Sequence, residues 1–159
     1  MKEENNMNFD KIIDVGIKAV SAGVGILGYC LGGWDGLALT LVVWMGIDYA
    51  TGVLVALVFR NSPKTLNGGL DSRVGWKGLA KKVATLMLVA MAYMVDRLMG
   101  VEYIRAATIV AFMLNESISI SENVGCMGIK MPKLLSNALE QLAEQHGAGE
   151  ENEGGGDNG

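Results

Sequence analysis

A carboxylate interrupts the middle of the stretch "LALTLVVWMGIDYATGVLVALVF", where Asp48 lies eleven residues from either end of an otherwise apolar run from Leu37 to Phe59. In a soluble core such a group needs a partner or an active site. In a bilayer it marks a seam between helices or a path for water, because a charge facing lipid at a helix centre costs about 2.5–3.5 kcal/mol or more. Thr51, one turn on, and Tyr93 are hydrogen-bond partners to expect for it. Asn115 and Glu116 are the other polar residues inside an apolar context. Two readings of Asp48 stand side by side: a functional intramembrane group, and a structural carboxyl tied to such a neighbour.

Other arrangements fail on inspection. Gly23-Val24-Gly25-Ile26-Leu27-Gly28 fits the spacing of a dinucleotide-binding turn, and Asp48 follows twenty residues later. No strand precedes it and Asp48 is not at a strand end, so the match is chance within a glycine-rich helix. His146 is the single histidine, and Cys30 and Cys126 lie far apart in apolar surroundings. Such cysteines behave as small apolar residues. No spaced ligand set, nucleophile–base order or phosphate-loop lysine occurs, so no enzyme, metal or cofactor is expected.

The elements that position these residues are membrane helices. Half of the 159 residues are apolar, only 19% are charged, and the apolar ones cluster. Leu37–Phe59 is 23 residues long, enough at about 1.5 Å each to cross a ~30 Å hydrocarbon layer. The pattern predicts an all-α, polytopic membrane protein with three to four crossings, four favoured, at 15–33, 37–59, 83–101 and 104–121. The last is weakest, with ten uncharged residues (Ala106–Asn115) before Glu116. A polar leader precedes the first crossing, with no signal-peptide character. An amphipathic helix over 132–145 completes one domain (1–145), and residues 146–159 form an acidic, glycine-rich tail expected to be disordered.

Charge sets the orientation. Six basic residues, Arg60, Lys64, Arg73, Lys77, Lys81 and Lys82, face one acid, Asp71, in the segment after the second crossing. That excess places the segment in the cytoplasm and attracts anionic lipid; nucleic acid is not an expected partner. Small residues supply a helix-packing signal: Gly28/Gly32, Gly46/Ala50 and Gly52/Ala56 are spaced four apart. In lipid such pairs let backbones approach, within one chain or between copies, and a homo-oligomer is expected from them.

Three blocks together resemble the toxin-secretion/phage-lysis holins: "GGWDGLALTLVVWMGIDYATG", "SRVGWKGLAKK" and "NESISISENVGCMGIKMPKLL". The Asp-Tyr-x-x-Gly of Asp48, Tyr49 and Gly52, and the pattern of Glu116, Ser119, Glu122 and Asn123, carry the likeness. The resemblance implies a protein that accumulates in the bacterial cytoplasmic (inner) membrane and assembles into lesions. Those lesions would release an endolysin, without a stable complex, or a toxin. Two other readings remain: a small ion or proton channel or transporter subunit using Asp48, and an antiholin-type inhibitor that co-assembles with a holin.

Overall fold

A computed structural model describes residues 2–65 and 67–147, with side chains described over 11–65 and 67–145. The elements among the described residues are all helices, without strands: α1 (Lys2–Cys30), α2 (Gly36–Leu54), α3 (Ser72–Met99), α4 (Ile104–Cys126) and α5 (Lys133–Gly147). α2 runs on as a π-helical turn, Val55–Phe59, and ends at Arg60 in the left-handed conformation (φ 47°). Three stretches are long and apolar enough to cross a membrane: Lys11–Cys30, Gly36–Phe59 and Ser72–Met99.

The starts of the three bundle helices are capped by carboxylates. Asp35 caps α2 by accepting from the Ala38 amide at 2.8 Å. Asp71 caps α3 by accepting from the Arg73 amide at 2.7 Å. Asp96 reaches from the end of α3 to accept from the amides of Ile104 and Arg105, both at 2.9 Å, which caps α4. Each carboxylate satisfies amide groups that the first turn leaves without a helical partner.

α2, α3 and α4 form the packed bundle. Its core is Leu31, Leu41, Met45, Val89, Ile109 and Met113, with Leu27, Trp44, Leu86, Ala90 and Phe112 packed around it. α4 packs against α2, α3 and α5. It is the bundle's centre although its composition made it the weakest expected crossing. At 23 residues it is about 34 Å long, sufficient for a bilayer. Its charged and polar residues Glu116, Ser117 and Asn123 are buried against the other helices. α1 is different: every side chain from Lys11 to Ile26 is exposed, and only its last turn touches the bundle.

Several boundaries differ from the sequence reading. α1 begins at Lys2, so the backbone of the expected leader is already helical. α3 begins at Ser72, eleven residues before the expected crossing at Val83. Once Asp71 caps the helix, nothing in Ser72–Lys82 stops it. Of the six basic residues, only Arg60 and Lys64 lie in the connecting loop; Arg73, Lys77, Lys81 and Lys82 are on α3. α5 reaches Gly147, two residues past its expected end. The tail beyond residue 147 lies outside the described residues.

Candidate functional site: a charge cluster inside the bundle

The core-facing stripe of each bundle helix carries one ionisable residue at the same level. On α2 the stripe is Ala38, Leu41, Met45 and Asp48; on α4 it is Ile109, Met113 and Glu116. On α3, Lys82 precedes Leu86 and Val89 by one and two turns. Asp48 and Glu116 each stand 12 residues beyond the first residue of their helix, about 18 Å along the axis. The cluster therefore sits near the middle of α2.

Lys82 joins the three helices. Its Nζ donates to Asp48 Oδ2 at 2.9 Å and to Glu116 Oε2 at 2.5 Å. The side chains are only 13%, 13% and 9% exposed for Lys82, Asp48 and Glu116 respectively. At that burial one ammonium between two carboxylates is a latch, since each anion depends on the same cation. Asn123 extends the network: its Nδ2 donates to Asp48 Oδ1 at 3.1 Å and to Thr51 Oγ1 at 3.1 Å. The Thr51 hydroxyl in turn donates to the Asp48 carbonyl at 3.0 Å. No buried side-chain polar atom lacks a partner among the described residues.

A recess of about 90 Å³ leads from the 60–71 loop to this cluster, lined by Tyr49, Gly75 and Gly78 and floored by Asp48, Lys82 and Asn123. That volume is enough to admit water. Beside it, Lys64 Nζ donates to Ser119 Oγ at 3.3 Å and Asn61 Nδ2 donates to the Cys126 carbonyl at 3.1 Å, tying the loop to α4.

A second cluster closes the opposite end of the bundle. Arg105 donates through Nε to the Leu31 carbonyl at 2.5 Å, and its guanidinium forks onto Asp35 at 2.6 and 3.2 Å. That hydrogen bonding holds the Asp35 carboxyl below its ordinary value. The clasp fixes the end of α1 and the start of α2 on the first turn of α4.

The expected site residues thus separate into groups. Asp48 and Glu116 come together, and Thr51 joins them through the Asp48 carbonyl and Asn123. Tyr93 does not reach Asp48. Its hydroxyl pairs with Arg97 at 3.3 Å, and its ring packs on Gly32 near the Arg105 end. Asn115 is exposed on the outer side of α4. Lys82, expected as an orientation signal, is half-buried inside the bundle; the signal that could have found it there is its spacing to Leu86 and Val89.

The small residues also divide. Gly28 and Gly32 are not a helix–helix seam. Gly32 lies past the end of α1 at φ +84°, and a Cβ there would meet the Tyr93 ring at 2.6 Å. A Cβ on Gly28 would meet Trp34 at 2.3 Å. Both serve contacts within this chain, because the tight turn between α1 and α2 needs them. Gly52 faces Asn123 and Ala56 is buried, whereas Gly46 and Ala50 are exposed on α2. The Gly23–Gly28 stretch lies within α1 and forms no phosphate-binding turn. No group of three or more metal-ligating side chains occurs among the described residues.

A model of the bacteriophage holin family matches residues 25–144, from the last six residues of α1 into α5. The chain belongs to the bacteriophage holin family. It is 37% identical to an uncharacterized protein of Listeria innocua over 129 residues, covering 80% of this chain and 84% of the relative. An uncharacterized 14.9 kDa protein of Clostridium perfringens is 34% identical over 116 residues, covering 72% of this chain and 82% of the relative. A probable holin of Bacillus phage phi105 is 30% identical over 97 residues, covering 60% of this chain and 66% of that protein. No solved structure matches. The matched region contains both charge clusters and the whole α2–α4 bundle. Membership supports a holin-like role and a membrane location, in a family that is not one of enzymes.

Proposed function

We propose that this chain accumulates in the bacterial cytoplasmic membrane, self-associates there, and opens lesions that let an endolysin cross, causing lysis. The carrying observation is the Asp48–Lys82–Glu116 cluster inside the family-matched bundle. Polar groups satisfied within one chain leave a bilayer sealed, and the same groups can line water once helices rearrange between copies. Four crossings, α1 to α4, put the Arg60–Asp71 loop and α5 in the cytoplasm. Arg60, Lys64, Arg73, Lys77 and Lys81 near that side support this orientation. Residues 1–145 act as one membrane domain with lipid and further copies as partners. An endolysin is a functional partner without a stable complex, and an antiholin is a possible co-assembling one.

Induced expression in a bacterium carrying a cytoplasmic wall-degrading enzyme without an export signal tests this. A lag, then abrupt loss of membrane potential with escape of the enzyme, is the expected result. Depolarisation without enzyme escape across expression levels would refute it. That outcome fits the second reading, a small ion or proton channel using Asp48, which the recess running from the loop to Asp48 favours. An inhibitor would show neither effect alone and would delay lysis by an active holin.

A further inference from the structure

We infer that the outer face of α3 in one copy seats against the α4–α5 hairpin of the next, with Trp76 as its anchor. The inference rests on the self-association and the orientation proposed above. On α3, Arg73, Trp76, Lys77, Ala80 and Lys81 are all exposed. At about 100° per residue they lie on the side of the helix away from Lys82, which points into the bundle. Trp76 is 71% exposed. Arg73, Lys77 and Lys81 form no ion pair among the described residues.

The receiving surface is a groove. Leu114, 12 residues before the end of α4, and Ala143, 10 residues into α5, line it together. α5 therefore folds back antiparallel along the cytoplasmic half of α4. The groove has a volume of about 460 Å³, with Ile118 and Leu139 among its apolar walls and Glu122 and Glu140 among its polar ones. It is large enough for an indole, the type of aromatic anchor that fills pockets at interface centres. No α3 residue lines it, and neither glutamate has an ion pair among the described residues. Lys130 and Lys133 belong to the turn, Lys133 lying seven residues, about 10 Å, before Glu140 along α5.

Depth brings the two surfaces together. Trp76 lies six residues before Lys82 on α3, and Glu122 six residues after Glu116 on α4. The two helices run in opposite directions and are tied at Lys82–Glu116. Both residues therefore stand about 9 Å to the cytoplasmic side of that bond. Exposure fixes the first position and the groove fixes the second. Copies inserted in one orientation share depth, so a neighbour's Trp76 meets the groove at the level of Glu122. Lys77 and Lys81 then approach the acidic walls, Glu122 and Glu140. Charge selects the occupant. An anionic lipid headgroup suits the α3 stripe but is repelled by the groove, whereas a second copy satisfies both surfaces at once. Because the two faces differ, the contact is heterologous and closes into rings or grows open-ended.

Disulfide trapping tests the contact. In a parent with Cys30→Ala and Cys126→Ala, one copy carries Ala80→Cys and a co-expressed copy carries Ile118→Cys. Each position lies two residues to the cytoplasmic side of the Lys82–Glu116 bond. Oxidation should give a mixed dimer at several times the yield of Leu79→Cys with Ile118→Cys, since Leu79 is turned about 100° off the face. Trp76→Ala and Lys77→Glu should each lower the yield several-fold, and Glu122→Lys in the partner copy should restore it for Lys77→Glu. Purified protein should crosslink alike in vesicles of phosphatidylcholine and in vesicles that also contain phosphatidylglycerol. Trapping that requires phosphatidylglycerol, or a Lys77→Glu loss that Glu122→Lys does not restore, would assign the stripe to anionic lipid and overturn the second-copy contact. Equal yields from Leu79→Cys, an unchanged yield in Trp76→Ala, or an internally linked monomer without mixed dimers would overturn it too. Lysis is read in the same cultures. Lysis without Ala80–Ile118 trapping overturns this interface alone, whereas trapping without depolarisation counts against the proposed function alone.

Discussion

Lys82→Met removes the one cation that the buried Glu116 and the half-buried Asp48 share. Its Nζ stands 2.9 Å from Asp48 and 2.5 Å from Glu116. The carboxylate oxygens it touches are therefore roughly 5 Å apart at most, and at an effective dielectric of about 20 they repel by about 3 kcal/mol. Breaking a buried pair by deleting one partner costs about 3–5 kcal/mol, in the same range. The sealed bundle should lose that much stability. Permeabilisation should then begin earlier at equal membrane abundance, read as the time from induction to collapse of the membrane potential. Asp48→Asn leaves Lys82 with Glu116, so its shift should be smaller and insertion should persist. Asp48→Lys sets a second ammonium beside Lys82 and should exceed Asp48→Asn. The decisive variant is Asp48→Asn/Lys82→Met/Glu116→Gln, which removes all three charges and should return the onset toward wild type. An unchanged onset in Lys82→Met, or a triple variant as disturbed as Lys82→Met, would refute the latch.

Gly32→Leu should lower the amount of folded protein in detergent rather than merely thin an oligomer ladder, because φ +84° and the Tyr93 ring both oppose a side chain there; unchanged folded yield would contradict this. Arg105→Ala should destabilise the turn end of the bundle by about 1–3 kcal/mol through lost charge-assisted hydrogen bonds, measured by thermal unfolding in detergent. Because Arg105 holds the Asp35 carboxyl low, the wild-type clasp contributes fully above the ordinary carboxylate range. It is lost as pH falls through the lowered value, so the gap between wild type and Arg105→Ala should shrink only in acid. A topology reporter active outside the cell should be silent when fused near Asn67 and active near Asp35; the reverse would overturn the orientation.

The sequence by itself determined the class. Apolar runs of bilayer length, turn residues between them and three motif blocks were enough to read an all-α membrane protein of the holin family. Helix length and hydropathy are local properties, legible without knowing what packs on what. Asp48 and Glu116 were also legible, because an acid in an apolar run stands out wherever the run lies. Which residues meet was decided only by the tertiary structure. Lys82 adjoins a basic stretch in sequence and looks like an orientation signal. Only the start of α3 at Ser72 brings it into the bundle beside Asp48 and Glu116. Gly28 and Gly32 carry the spacing of a helix seam, yet α1 ends at Cys30 and the pair serves the turn. Tyr93 has a suitable depth in the sequence but lies at the Arg105 end. In each case spacing along the chain left the neighbour open. The neighbour depends on where each helix starts and on how it is rotated and shifted against the next, which the packing of three helices around Met45, Val89 and Ile109 settles together.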